Sequence, residues 1–199
     1  MVHPVERGHL PAGRVSFGRL ALEAAMIAFG VLLALSLESW NEHRKERALA
    51  EEALANIRRE ITTDVERIRQ QMPKQQDVVE TLRVFEEELE AGKDPVTPGL
   101  GLYPPFLSSA AWSTAMSTQA LAHMEFGTVQ RLAAFYDAQR WLDRIEDTWL
   151  RLITQPHEDK RSANQQWART MRYTMLGYIE IENIILAQAK RTDSESARK

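Results

Sequence analysis

The stretch Leu20-Ala-Leu-Glu-Ala-Ala-Met-Ile-Ala-Phe-Gly-Val-Leu-Leu-Ala-Leu-Ser-Leu37 decides how the rest of the chain is read. Its charge-free part, residues 24–37, has 14 residues, which alone are too few to cross a bilayer. Extending back to Leu20 gives 18 residues, or roughly 27 Å of helix against a hydrocarbon core of about 30 Å. Glu23 lies one turn inside, where Arg19 at i−4 can pair with it and both can reach the headgroups. Phe17 and Trp40 flank the run, and Trp suits the membrane interface. A small-x-small site for a cleaved leader, Ala34-Leu-Ser36, falls inside the apolar run, and no helix breaker follows it. Residues 17–40 are therefore expected to form a transmembrane helix.

Small residues at helical spacing, Ala24/Ala28 and Gly30/Ala34, allow a second helix to approach closely in lipid. The residues expected to anchor and pack this segment are Arg19, Glu23, Ala24, Ala28, Gly30, Ala34 and Trp40. Orientation is nearly balanced, with Arg7, Arg14 and Arg19 on one side and Arg44, Lys45 and Arg47 on the other. An exported C-terminal domain is expected because a long C-terminal domain can translocate largely regardless of its charge.

Downstream, residues 41–92 read as one long helix. Leu54, Ile57, Ile61, Val65 and Ile68 step by three or four and continue into Met72, Val79, Leu82, Phe85 and Leu89. A stripe this narrow is a coiled-coil seam, available for interaction, or one face of a bundle. Pro73 is expected to kink or restart the helix. The Glu60/Asp64 pair beside Arg67 reads as a solvated face. Pro95, Pro98, Gly99, Gly101, Pro104 and Pro105 make 93–107 a loop between helices. Further helices are expected over about 108–125, capped by Ser108, then 128–154, capped by Thr128 after Gly127, and 158–190, after a stop at Pro156. Residues 1–16 read as a flexible tail and 193–199 as a frayed end, leaving 41–192 as a helical extramembrane domain. The fold class is all-α: a transmembrane helix continuous with a long helix, followed by an antiparallel bundle.

The 25 basic and 28 acidic residues leave a net charge of −3, with no basic excess of the kind nucleic-acid binding requires. Cys is absent, which excludes disulfides and thiolate chemistry. His157-Glu158 opens an H-E-x-x-H pattern, but Arg161 stands where the second His is needed. The single Glu-x-x-His, Glu6 to His9, lies in the tail, and Glu87 occupies the first Gly position of a P-loop ending at Gly92-Lys93. Gly99-Leu-Gly101 runs into Leu-Tyr-Pro-Pro rather than a helix. Glu180 and Glu182 diverge on a helix and make a poor acid/base pair. No catalytic residue, cofactor, metal site or small-molecule substrate is expected, and the chain does not read as an enzyme.

The junction Gly30-Val-Leu-Leu-Ala-Leu-Ser-Leu-Glu-Ser-Trp-Asn-Glu-His-Arg-Lys-Glu46 resembles a family of uncharacterised bacterial single-pass membrane proteins. In these an apolar helix end runs into a Trp-Asn-Glu-x-Arg-Lys segment and a long charged helix. The later Trp112-Ser-Thr-Ala-Met-Ser-Thr-Gln-Ala-Leu121 and Leu132-Ala-Ala-Phe-Tyr136 are similar in character. The resemblance implies a bacterial inner membrane location and supplies no activity. The expected role is a membrane-anchored interaction or scaffold protein, self-associating or bound to a protein partner. The alternative is a ligand-binding sensor bundle with its pocket between the Ser/Thr-rich helix and the Trp-bearing helices.

Overall fold

A computed structural model describes residues 17–154 and 161–196, with side chains over 21–154 and 161–192. The tail 1–16, Pro156 and His157-Glu158 lie outside the described residues. The protein is an all-α helical bundle: α1 (Phe17–Glu90), α2 (Ala110–Ser117), a 3-10 turn (Ala120–His123), α3 (Phe126–Thr154) and α4 (Arg161–Ser196). The chain divides into two compact units, Met1–Glu46 and Arg47–Lys199.

In the first unit every residue of 21–40 is exposed. Apolar side chains point all round the helix, among them Leu22, Met26, Ile27, Phe29, Leu32 and Leu35. A helix apolar on all sides buries itself in a protein core or in lipid, and this one is not in the core. It is long and apolar enough to cross a membrane. Ser36 is the one polar side chain in 24–37, and its hydroxyl donates to the Leu32 carbonyl at 2.7 Å, so its hydrogen bond is met within its own helix.

The second unit is built on seams that repeat every three and a half residues. Ile57, Ile61, Asp64, Ile68, Gln75, Val78, Leu82, Phe85 and Leu89 make the seam of α1, and Ala50 and Glu86 are buried as well. In α4 the pattern is unbroken: Asn164, Ala168, Met171, Met175, Tyr178, Glu182, Ile185 and Ala189. A spacing of 3.5 keeps one strip turned toward a partner helix over many turns. Cross-links fix direction. Glu86 meets Arg169 and Arg172, while Gln75 meets Glu182, so α4 runs antiparallel to α1. Tyr136 reaches Glu60, and Glu146 meets Tyr178, which lies between those two α1–α4 levels. Thus α3 climbs in the direction of α1 and descends again as α4.

That parallel pairing requires the chain to return from the top of α1 before α3 begins. Gly92, at φ +79°, ends α1: its N–H bonds to Leu89 and that of Lys93 to Glu88, the Schellman arrangement that a glycine admits without strain. The following segment is a strap laid along α1 rather than a free loop. Tyr103, Phe106, Ser108 and Ala111 bond in turn to Gln75, Arg67, Asp64 and Glu60. From Tyr103 to Ala111 the chain advances eight residues past fifteen of α1, roughly 22 Å of helix, so it is drawn out along α1, with a left-handed turn at Phe106 (φ +49°) and α2 starting at Ala110. Pro104 and Pro105 favour this, because the residue before a proline is held out of the helical region. Pro105 is itself buried.

Several boundaries differ from the sequence expectation. Pro73 sits inside α1, which neither stops nor restarts there. The helix expected over 108–125 is split where Gln119 turns left-handed, at φ +60°. At the head of α3, Glu125 is the cap instead of Thr128, accepting from the N–H of Gly127 and Thr128 and from the Thr128 hydroxyl. α4 keeps helical hydrogen bonding to Ser196, six residues beyond the expected 190.

Leu82 is fully buried in the seam, whereas Val84 is 42% exposed. Leu82→Ala is therefore expected to cost about 2–5 kcal/mol of stability in urea unfolding of the detergent-solubilised chain. Val84→Ala should stay within about 0.5 kcal/mol.

Candidate functional site

The residues singled out by sequence fall into two separate groups. Glu23, Ala24, Ala28, Gly30, Ala34 and Trp40 are all exposed on the apolar part of α1; the side chain of Arg19 lies outside the described residues. A Cβ added at Gly30 would meet nothing within 4 Å, so within this chain its surface is open. The Arg44 guanidinium lies over the Trp40 ring, 5.9 Å from its centroid, a cation–π contact that joins the aromatic to the first basic residue past the apolar run.

The seam group has a different fate. Ile57, Ile61 and Ile68 are fully buried, and Leu54 and Val65 are packed half-buried against the same core. These five residues face the chain's own helices. As an interaction surface the seam is already occupied, and of the two readings the stripe allowed, it is the face of a bundle.

The sequence reading put Glu60 and Asp64 on a solvated face, and the structure corrects this. Asp64 is completely buried, at the seam position where a register of 57, 61, 64 and 68 places it. Its carboxylate accepts the Ser108 N–H at 3.0 Å and an Arg67 N–H at 3.1 Å. Glu60, half-buried, accepts from the Ala111 N–H, the Ser108 hydroxyl and the Tyr136 hydroxyl at 2.7–2.9 Å. Together the two acids clamp the strap and the first turn of α2 onto α1. Burial raises the Asp64 carboxyl to about 6, against the opposing pull of the Ser108 N–H and Arg67. Burial pushes Glu60 the same way, but its hydrogen bonds outweigh it and hold the carboxyl below its ordinary value. Trp112 stacks on Tyr136 at 5.0 Å between centroids, filling the space between α2 and α3.

A second buried polar layer joins α1 to α4. Gln75 and Glu182 are both fully buried, and the Gln75 Nε2 donates to Glu182 Oε1 at 2.9 Å and to the Tyr103 carbonyl at 3.0 Å. Glu182 was passed over in the sequence because the reading paired it with Glu180, which is exposed. The α4 repeat of 175, 178, 182 and 185 would have placed it inside. Nearby, Tyr178 donates to Glu146, linking α4 to α3.

Two surface depressions lie on this unit. One runs along a single face of α4 and is lined by Leu176, Ile179, Asn183 and Ile184. The other is the polar outer edge of the Glu60/Asp64 clamp. Both are open to solvent. Among the described residues no three His, Asp or Glu side chains are grouped to hold a metal ion. His43 bonds to Glu46 at 3.1 Å and is exposed, as is His123.

The clamp makes a testable demand. Tyr136→Phe keeps the ring on Trp112 but removes a donor to an ionised carboxylate, and should cost about 1.5–3 kcal/mol of stability. An unchanged unfolding midpoint would show that Glu60 needs no such donor. Comparison of the chain with protein-family models, curated proteins and solved structures gave no match.

Proposed function

We propose that the chain is a single-pass protein of a bacterial inner membrane. On this reading its Arg47–Lys199 unit is an exported helical module that works by binding a protein partner or a second copy. The observation that carries the reading is the exposed, all-round apolar surface of residues 21–37, with the hydroxyl of Ser36 satisfied within its own helix. Water offers such a surface no favourable setting, and the hydrocarbon of a bilayer does. The bacterial setting rests on the resemblance at residues 30–46.

The interaction role is supported by what the second unit spends its polar groups on. Its buried acids hold the strap and join the helices, and Trp112 stacks on Tyr136 between α2 and α3. Large apolar side chains remain on its outer faces, including Trp141 on α3 and Tyr173, Leu176 and Ile184 on α4. With the α1 seam used internally, association falls to these faces or to the apolar segment.

Membrane fractionation tests the anchor. The chain is expected to stay with the membrane through a high-salt wash and to leave it in detergent. Leu33→Arg places a charge at the middle of the span, costing about 2.5–3.5 kcal/mol of insertion, and should move most of the protein out of the membrane fraction. Release of the unaltered chain by salt alone would contradict the proposal. Because the chain has no Cys, Ser113→Cys gives a unique reporter on exposed α2, and an impermeant thiol reagent should label it in intact cells if the unit is exported. Light scattering of the solubilised chain should give a mass above one copy, or pull-down from its membrane should recover a stoichiometric partner; a solitary monomer by both would defeat the interaction role.

A further inference from the structure

The Gln75–Glu182 layer contains an unresolved account of hydrogen bonds. Both amide hydrogens of Gln75 are spent, one on Glu182 Oε1 and one on the Tyr103 carbonyl. That carbonyl can only accept, so the amide nitrogen must face it and the orientation of the side chain is fixed. Two buried oxygens then have no partner: Gln75 Oε1 and Glu182 Oε2. They belong to the very two groups already joined by the Nε2–Oε1 bond. A buried acceptor left without a donor is costly, and this layer holds two, one on each of its bonded partners.

One proton settles both. We infer that Glu182 and Gln75 form a proton latch, in which a neutral Glu182 donates its Oε2–H to Gln75 Oε1 and closes a cyclic acid–amide pair between α4 and α1. Loss of the proton turns that donor back into a second buried acceptor, and the pair opens.

The surroundings favour the neutral form from every side. α1 presents Gln75, and Lys74 beside it is exposed, bonded to Gln71 and placed over the Tyr103 ring. The strap presents a carbonyl. α3 presents Glu146, with Asp143 and Asp147 acting on it in turn, and α4 itself presents Tyr178, whose hydroxyl is given to Glu146. On α4, Lys190 and Arg191 stand two turns beyond Glu182 and are exposed, and on its other side Arg169 and Arg172 bond to Glu86. Among the described residues no cation acts on Glu182: burial lifts its carboxyl from 4.5 to about 7, Gln75 opposes this, and Glu146 adds to it. Because the folded value is the higher one, the latch stabilises the fold fully below about pH 4.5, and that contribution is lost as pH rises through about 7. The transition falls at neutral pH, where a modest change in acidity alters how firmly α4 and the strap are held on α1.

The test is urea unfolding of the full chain in detergent micelles between about pH 5 and about pH 8.5, compared with Glu182→Gln. Asp64 also titrates in this range, so the difference between the two proteins is the informative quantity. Glutamine carries the donor permanently, so the variant should lack the component that weakens the wild-type folding equilibrium by about two orders of magnitude across the range. It should also be the more stable protein at the alkaline end. A Glu182→Gln protein that tracks the wild type at every pH would overturn the latch. So would one less stable than wild type at alkaline pH.

Discussion

The Arg47–Lys199 unit depends on one constraint, the seam of α1 and α4 repeating every three and a half residues. A straight α-helix turns once in 3.6 residues, so a strip spaced at 3.5 stays in line only if helices coil slightly around each other. Ile57, Ile61, Ile68, Leu82, Phe85 and Leu89 hold that strip on α1 for more than thirty residues, and α4 answers it from the opposite direction. α3 completes the core with Leu132, Phe135, Tyr136, Leu142 and Trp149. Once α1 and α3 run in the same direction, a crossing segment as long as the bundle is unavoidable. The strap is that segment, and its prolines suit an extended path that a helix could not take.

The polar residues on the seam give the bundle its register. Apolar seams tolerate sliding, since one leucine layer resembles the next. Gln75 finds Glu182 at one alignment of α1 and α4, and Glu86 finds Arg169 and Arg172 at the same alignment. Displacement by a heptad would leave these groups buried without partners, at a cost far above that of mismatched apolar side chains. At the other end, Glu60 and Asp64 do the same for the strap and α2. Burial lifts Glu86 too, but its two guanidinium partners outweigh this and keep it ionised, whereas Glu182 has no such partner. Two buried glutamates on one bundle thus have their carboxyls shifted in opposite directions for a local reason.

The helical fold and the apolar segment were legible in the sequence because each rests on a repeated signal spread over many residues. The seam was legible in part. Ile57, Ile61 and Ile68 were found by their apolar character, but the same criterion chose Val65 over Asp64 and skipped Gln75, since a search for apolar residues cannot see a polar residue in a core position. Only the strict 3.5 spacing would have exposed Asp64, Gln75 and Glu182 together. In α4 the large side chains of Trp167 and Ile181 sit half-buried one position beside the true seam at Ala168 and Glu182. The strap was not legible, because proline and glycine announce the end of helices and say nothing of where the chain goes next. Its path is set by Gln75, Arg67, Asp64 and Glu60, residues far away in sequence whose hydrogen bonds exist only once α1 is formed.

The central claim is that one helix serves two solvents, lipid along residues 21–37 and the chain's own core beyond residue 50. Spin labels placed singly along α1 in bilayers, and probed with a lipid-soluble and a water-soluble relaxation agent, test it most directly. The prediction is uniform access to the lipid-soluble agent over 21–37 with no helical period. It continues with protection from both agents at positions 57, 61, 64 and 68, between neighbours open to the water-soluble one. Water access at those four positions, or a periodic protection within 21–37, would contradict it.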